Sequence, residues 1–231
     1  MVGLMMVDLS AAFDMVQVGL MESKMELFGL DKKSLGWMRS FLTDRRQSVS
    51  IDGKVSSALD LEYGLAQGSI LAPLLYVLYT CDVPDLPHDH PISVCLPRSR
   101  CQDCGSIVSF IDDNSYSVAA NDPRELSEKL TNQYEQISDY MGANGLVIND
   151  SKTGLIVFCK RSMKRMKDEV EIRAGKHVVT PSYTQKLLGA HVAEDLGWKE
   201  HILNNNDSLI NQLNSRINGL SLVSKLTSFR D

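Results

Sequence analysis

The chain has 231 residues, 43% hydrophobic and 23% charged, with a formal net charge of −5 and a sequence pI near 5.6. That is enough chain for one substantial core, or for one domain and part of a second, and the acidity weighs against the basic character usual in nucleic-acid binders. The longest apolar run, Ile70 to Cys81, contains Pro73 and is too short to span a bilayer. No basic segment precedes the apolar first residues, so neither a leader nor a membrane partner is expected. Five cysteines without a leader favour reduced thiols or a metal site over disulfides.

In chain order, Val2 to Asp8 is an apolar run predicted as a buried strand ending at Asp8. Val16 to Phe28 has helical spacing and stops at Gly29, and Ser34 is the expected cap of a short helix through Leu42. Arg45 and Arg46 fall in a turn. Gln47 to Ile51 and Ala58 to Tyr63 are predicted strands joined at Asp52-Gly53. Ser69 to Thr80 is an apolar helix that tolerates Pro73 near its first turn. Residues 82–105 are rich in Pro, His and Cys, lack periodicity, and have the character of an inserted loop.

Ile107 to Ala119 is predicted as a hairpin broken at Asp112-Asp113-Asn114. Asp122-Pro123 starts a helix, with Asp as N-cap and Pro at the first position. Leu126, Leu130, Tyr134, Ile137 and Met141 make its apolar stripe, and Gly145 ends it. Short strands at Leu146 to Ile148 and Leu155 to Cys159 flank Asn149-Asp150-Ser151-Lys152. A basic loop from Lys160 to Lys167, a hairpin around Gly175, a strand at Leu187 to Val192 and a helix from about Trp198 complete the chain. Mixed strands and helices with frequent hairpins predict an α+β fold, an antiparallel sheet with helices packed on one face.

Two acidic clusters stand out, Asp8 to Asp14 and Phe110-Ile111-Asp112-Asp113, each at the end or turn of a strand-like run. Carboxylates that converge from different strands suit Mg²⁺, a hard cation that prefers oxygen ligands. Between the clusters lies Gly64-Leu65-Ala66-Gln67-Gly68-Ser69. This order of motifs resembles the reverse transcriptase domain of non-LTR, LINE-like and jockey-like retrotransposons.

The resemblance implies a right-hand polymerase palm over residues 1–185, with 82–105 as an insertion, and a primer-grip strand and early thumb over 186–231. Fingers and most of the thumb are expected in missing segments of the parent polyprotein, which would also carry the basic surface this acidic chain lacks. It implies Asp8, Asp112 and Asp113 as Mg²⁺ (or Mn²⁺) ligands. Phe13, five residues beyond Asp8, becomes a steric gate against a 2′-hydroxyl, and the backbone from Leu9 to Phe13 a cradle for the triphosphate. Asp14 matches a family position and is expected to be structural. Gln67 and Gly68 would meet template and incoming nucleotide, and Lys152 would act as general acid toward pyrophosphate. Lys186-Leu187-Leu188-Gly189 resembles the primer grip. RNA template, DNA primer and dNTPs are the implied partners, with intracellular, nuclear and cytoplasmic action.

Three departures from the family pattern are visible: Ala66 where Pro is frequent, Ala72 where Gly is frequent, and Ile111 where a small residue is usual. Arg39, Arg45 and Arg46, and separately Lys160, Arg161, Lys164, Arg165 and Lys167, are candidate phosphate contacts or solvated charge runs. His88, Cys95, Cys101 and Cys104, with His90 nearby, allow a structural zinc site, against a simply packed loop. A non-catalytic remnant that binds metal or protein is the alternative to a polymerase.

Overall fold

The computed structural model describes residues 1–83 and 106–203. The first half contains β1 (Val2–Val7), β2 (Leu9–Ser10), α1 (Val18–Leu27), α2 (Lys32–Leu42), β3 (Arg45–Gln47), β4 (Ser50–Ile51), β5 (Lys54–Val55), β6 (Leu59–Leu61) and α3 (Leu71–Tyr79). Then come β7 (Ser106–Phe110), β8 (Asp113–Ala119), α4 (Pro123–Ala143), β9 (Val147–Ile148) and β10 (Gly154–Phe158). Two hairpins, β11 (Ile172–Ala174) with β12 (His177–Val179) and β13 (Thr184–Leu187) with β14 (Ala190–Ala193), precede α5 (Lys199–Leu203).

The central sheet has the order β10-β1-β8-β7, antiparallel throughout. Along β1 the side chains alternate, so Gly3, Met5 and Val7 are buried, as a strand period of two requires. A Cβ on Gly3 would lie 2.7 Å from Leu130 Cδ1 and 3.2 Å from Leu126 Cδ1. The missing side chain is what lets α4 lie directly on β1. The predicted stripe of Leu126, Leu130, Tyr134, Ile137 and Met141 is buried along α4, each large apolar side chain contributing about 2 kcal/mol. Asp122 caps α4 through the Glu125 N–H (2.8 Å). Leu75, Tyr76 and Tyr79 of α3 and Met21 and Met25 of α1 close the same core. Among the described residues no helix is long and apolar enough to cross a membrane.

Several local expectations are corrected. The cap of α2 is Asp31, which accepts from the Lys33 and Ser34 N–H groups (2.8 and 2.9 Å), and Ser34 itself donates to it. Arg45 and Arg46 stand in a strand, with Arg45 opposite Leu61 and Arg46 opposite Asp60. The Asp52-Gly53 turn is present, but it joins only the two-residue strands β4 and β5. Leu187 to Val192 is no single strand: Leu188 and Gly189 both have positive φ, and the chain reverses there. The candidate zinc ligands His88, Cys95, Cys101 and Cys104 lie outside the described residues, as does everything after 203.

Candidate active site

Two turns of the sheet bring the acidic clusters together. Val7 is paired with Asn114 across β1 and β8, and Asp8, the residue after β1, lies near enough to Asp113 for its charge to act on that carboxyl. Phe110 pairs with Asp113, which leaves Ile111-Asp112 as a two-residue hairpin loop. Ile111 has φ +58°, a left-handed conformation that costs a β-branched residue about 1–3 kcal/mol. Its side chain packs partly against the core, and the buried Asn114 side chain donates to the Asp112 carbonyl (3.1 Å), bracing the turn. Burial pushes the Asp113 carboxyl above the ordinary carboxylate range, and the charges of Asp112 and Asp8 push it the same way.

Lys152 reaches this cluster from a third segment. β2 pairs with β9, and the Asn149 N–H donates to the Asp8 carbonyl (2.9 Å). The 3-10 turn that follows, Asp150–Lys152, leaves Lys152 Nζ 3.1 Å from Asp8 Oδ2. The turn is held from below by the Tyr134 hydroxyl, which donates to Asp150. A cleft of about 370 Å³ runs beside these groups, lined by Asp8, Asp113, Lys152 and, from the β13–β14 turn, Lys186, Leu187 and Leu188.

A second cleft of about 450 Å³ shares Asp112 and is lined by Leu9, Phe13, Gln67, Gly68, Ala72 and Pro73, among others. Its two walls are stitched together by backbone: Gly64 N–H to Val16 carbonyl and Leu65 N–H to Phe13 carbonyl, both 2.8 Å. Gln67 Nε2 donates to Asp14 Oδ1 (2.9 Å), so Asp14 has the structural part expected of it. The Phe13 ring is half-buried and stacks on Tyr76, with centroids 4.9 Å apart and planes inclined 17°. Leu9 is buried in the short β2–β9 ladder. Gly68 has φ +85° and open space around it, which glycine alone adopts readily.

Arg45 was not singled out in the sequence for what it does here. Its guanidinium donates to the carbonyls of Leu42 (2.9 Å), Tyr63 (2.8 Å) and Gly64 (2.5 Å), clamping the start of the Gln67 loop. Of the basic residues singled out in the sequence, Arg39 pairs with Glu22, Arg46 with Asp60, and Lys164 and Lys167 with Glu194. Burial raises the Glu194 pKa, but the two ammonium groups outweigh it and leave the carboxyl below its ordinary range.

Among the described residues no three His, Cys, Asp or Glu side chains are close enough together to enclose a metal ion. Mg²⁺ is commonly held by one or two carboxylates, with substrate phosphates and water completing the octahedron. The mutually repelling carboxylates of Asp8, Asp112 and Asp113 fit that open kind of site.

Comparison with known proteins bears on the family and the fold. The family described as reverse transcriptase (RNA-dependent DNA polymerase) matches residues 2–192. The probable RNA-directed DNA polymerase from transposon BS of Drosophila melanogaster is 26% identical over 197 residues, 85% of this chain and 20% of that protein. The RNA-directed DNA polymerase from mobile element jockey of Drosophila funebris is 24% identical over 230 residues, 96% of this chain and 24% of that protein. This chain therefore spans between a fifth and a quarter of the length of these relatives. Among solved structures, apo telomerase from Candida tropicalis truncated from its C-terminal domain superposes with a TM-score of 0.55 at 12% identity, covering 85% of this chain and 35% of that one. Telomerase from Candida albicans with a fragment of telomeric RNA gives 0.55 at 14% identity, over 84% and 31%. At those identities the likeness shows a shared polymerase fold. With more than half of its length matched by the family, the chain belongs to the reverse transcriptase (RNA-dependent DNA polymerase) family.

Proposed function

We propose that this chain is the palm and primer-grip portion of a retrotransposon RNA-directed DNA polymerase, with residues 1–185 as palm and 186–231 as primer grip and start of thumb. The reaction is transfer of a dNMP to a DNA primer 3′-hydroxyl, directed by an RNA template. The observation that carries this reading is the meeting of Asp8, Asp113 and Lys152, from three separate segments, beside one cleft, with a second cleft lined by Phe13, Gln67 and the adjacent Asp112. Bound Mg²⁺ would lower the pKa of the attacking hydroxyl and stabilise negative charge on the leaving pyrophosphate.

The chain's own residues divide the remaining work. Asp8, just after β1, and Asp112, in the β7–β8 turn, supply carboxylate oxygens, and Asp113 adds negative charge beside them. The new bond forms between the primer 3′-oxygen and the α-phosphorus, while the α-phosphorus–oxygen bond to pyrophosphate breaks. The hydroxyl proton passes to solvent, and Lys152 gives its own proton to the pyrophosphate. Lys152 is exposed and paired with Asp8, so it is free to turn toward the leaving group once Asp8 engages a cation. Phe13 forms the floor under the deoxyribose, Gln67 and Gly68 face the base pair, and the Leu188-Gly189 turn seats the primer end.

Primer extension on an RNA template with dNTPs and Mg²⁺ or Mn²⁺ tests the reading. Extension by the chain that disappears in the Asp112→Ala/Asp113→Ala variant is the expected result. A folded chain that extends nothing under both metals contradicts it.

A further inference from the structure

Tyr76 is fully buried on α3, one helical turn beyond Ala72, which lines the nucleotide cleft. Its ring lies parallel to that of Phe13, with centroids 4.9 Å apart and planes inclined 17°. Phe13 is thus held between the cleft on one side and Tyr76 on the other. Tyr76 belongs to the buried core that also holds Tyr116 and Leu75, both shielded from solvent. Interiors packed at this density move only when a neighbour gives way. The Tyr76 hydroxyl accounts for none of this: it is buried with no hydrogen-bond partner among the described residues. The ring, not the hydroxyl, is therefore what the position uses.

We propose that Tyr76 is a specificity-determining residue acting through Phe13: its ring sets the height of the Phe13 ring and so the room left for a sugar 2′-hydroxyl. The inference rests on the reading of Phe13 as a gate. If Tyr76 is replaced by a thinner side chain, Phe13 sinks toward the core and the cleft floor drops. A ribonucleotide then fits where it was excluded. Replacement by phenylalanine keeps the ring and leaves the floor where it was. Tyr76 touches no substrate in this account, so it is a positioning residue.

The test is the ratio of dissociation constants for an rNTP and the matching dNTP. It uses the full chain bound to an RNA template and a dideoxy-terminated DNA primer, so that no chemistry is needed. Variants are Phe13→Ala, Tyr76→Phe, Tyr76→Leu and Tyr76→Met, with Leu130→Ala as a core variant away from the cleft. Near-UV circular dichroism selects the folded ones, and the flexible methionine fills the space if leucine does not. The expected result is loss of the dNTP preference in Phe13→Ala, a fall of about tenfold in Tyr76→Leu or Tyr76→Met, the size of a lost aromatic pair, and no change in Tyr76→Phe. Leu130→Ala should lower the melting temperature and leave the ratio alone. A preference lost in Phe13→Ala but kept in Tyr76→Leu and Tyr76→Met overturns the inference and spares the gate. A wild-type ratio near one, or one unmoved by Phe13→Ala, removes the gate and this inference with it.

Discussion

Substituting Gly64 by alanine should separate the two halves of the cleft lined by Phe13 and Gln67. Gly64 has φ +86°, and a Cβ there would lie 2.9 Å from both the Cα and the carbonyl oxygen of Asp14. Both are backbone atoms, so neither can swing aside. A left-handed alanine costs about 1–2 kcal/mol, and forcing atoms into a packed site adds about 1–3 kcal/mol. The same loop carries the Gly64 and Leu65 bonds to Val16 and Phe13 and two of the three Arg45 bonds, so relief by movement breaks what holds the cleft. The expected loss is about 3 kcal/mol in denaturant unfolding, or about 6–12 °C in melting temperature for a chain of this size. Gly29 supplies the control: its φ is also +86°, but nothing lies within 4 Å of its Cβ position. Gly29→Ala should lose only the conformational part, about 1–2 kcal/mol. Equal losses at the two positions would refute the close approach to Asp14 as the reason for glycine at 64.

Three further outcomes are expected. Because the folded pKa of Asp113 is raised above its ordinary 3.8, the native state holds more protons than the unfolded chain just above that pH. Stability therefore falls as pH rises through that window. Asp113→Asn should melt higher than wild type at pH 7, with the gap closing below about pH 4; a variant that melts lower at neutral pH contradicts this. Lys24 is buried, donates to the Tyr79 carbonyl (2.5 Å) and to the Tyr140 hydroxyl (3.2 Å), and pairs with Asp82 at 3.0 Å. Lys24→Met should cost about 2 kcal/mol in urea unfolding by leaving the Tyr79 carbonyl without this donor and the Asp82 charge, still bonded by the Tyr140 hydroxyl, without its cation. Ile111→Gly should change stability little, because relief of about 1–3 kcal/mol of backbone strain offsets lost packing; a loss above about 3 kcal/mol would show that the turn is not strained.

The central strand, the Asp112 hairpin and the long helix were legible because each has a local cause. An apolar run marks β1, a turn between strand-like residues marks the Asp112 loop, and an Asp-Pro start with a stripe of period 3.6 marks α4. The gathering of Asp8, Asp112 and Lys152 was legible only from the order of motifs, since no spacing places residues 8 and 152 together. Of one short ladder only half was legible: β9 falls within the strand expected at Leu146 to Ile148, while its two-residue partner β2 escaped, being set beside the Asn149–Asp8 backbone bond rather than by any pattern. The β13–β14 turn was read as strand because Leu188 looks extended in sequence, although its φ is +48°. What Arg45, Lys164 and Lys167 pair with within the chain, carbonyls at 42, 63 and 64 and Glu194, left no mark in the charge pattern. The ring of Tyr76 gave no signal beyond an aromatic on the face of Ala72.

Asp8 and Asp14 lie six residues apart in one acidic cluster, but the account gives them different work: Asp8 faces Asp113 and Lys152, while Asp14 holds Gln67. Single-nucleotide extension on an RNA template, comparing Asp8→Asn with Asp14→Asn in Mg²⁺, tests this most directly. The account predicts no detectable product from Asp8→Asn, and from Asp14→Asn a slower reaction with a weakened nucleotide KM. Extension that survives Asp8→Asn would contradict the assignment of the reacting centre.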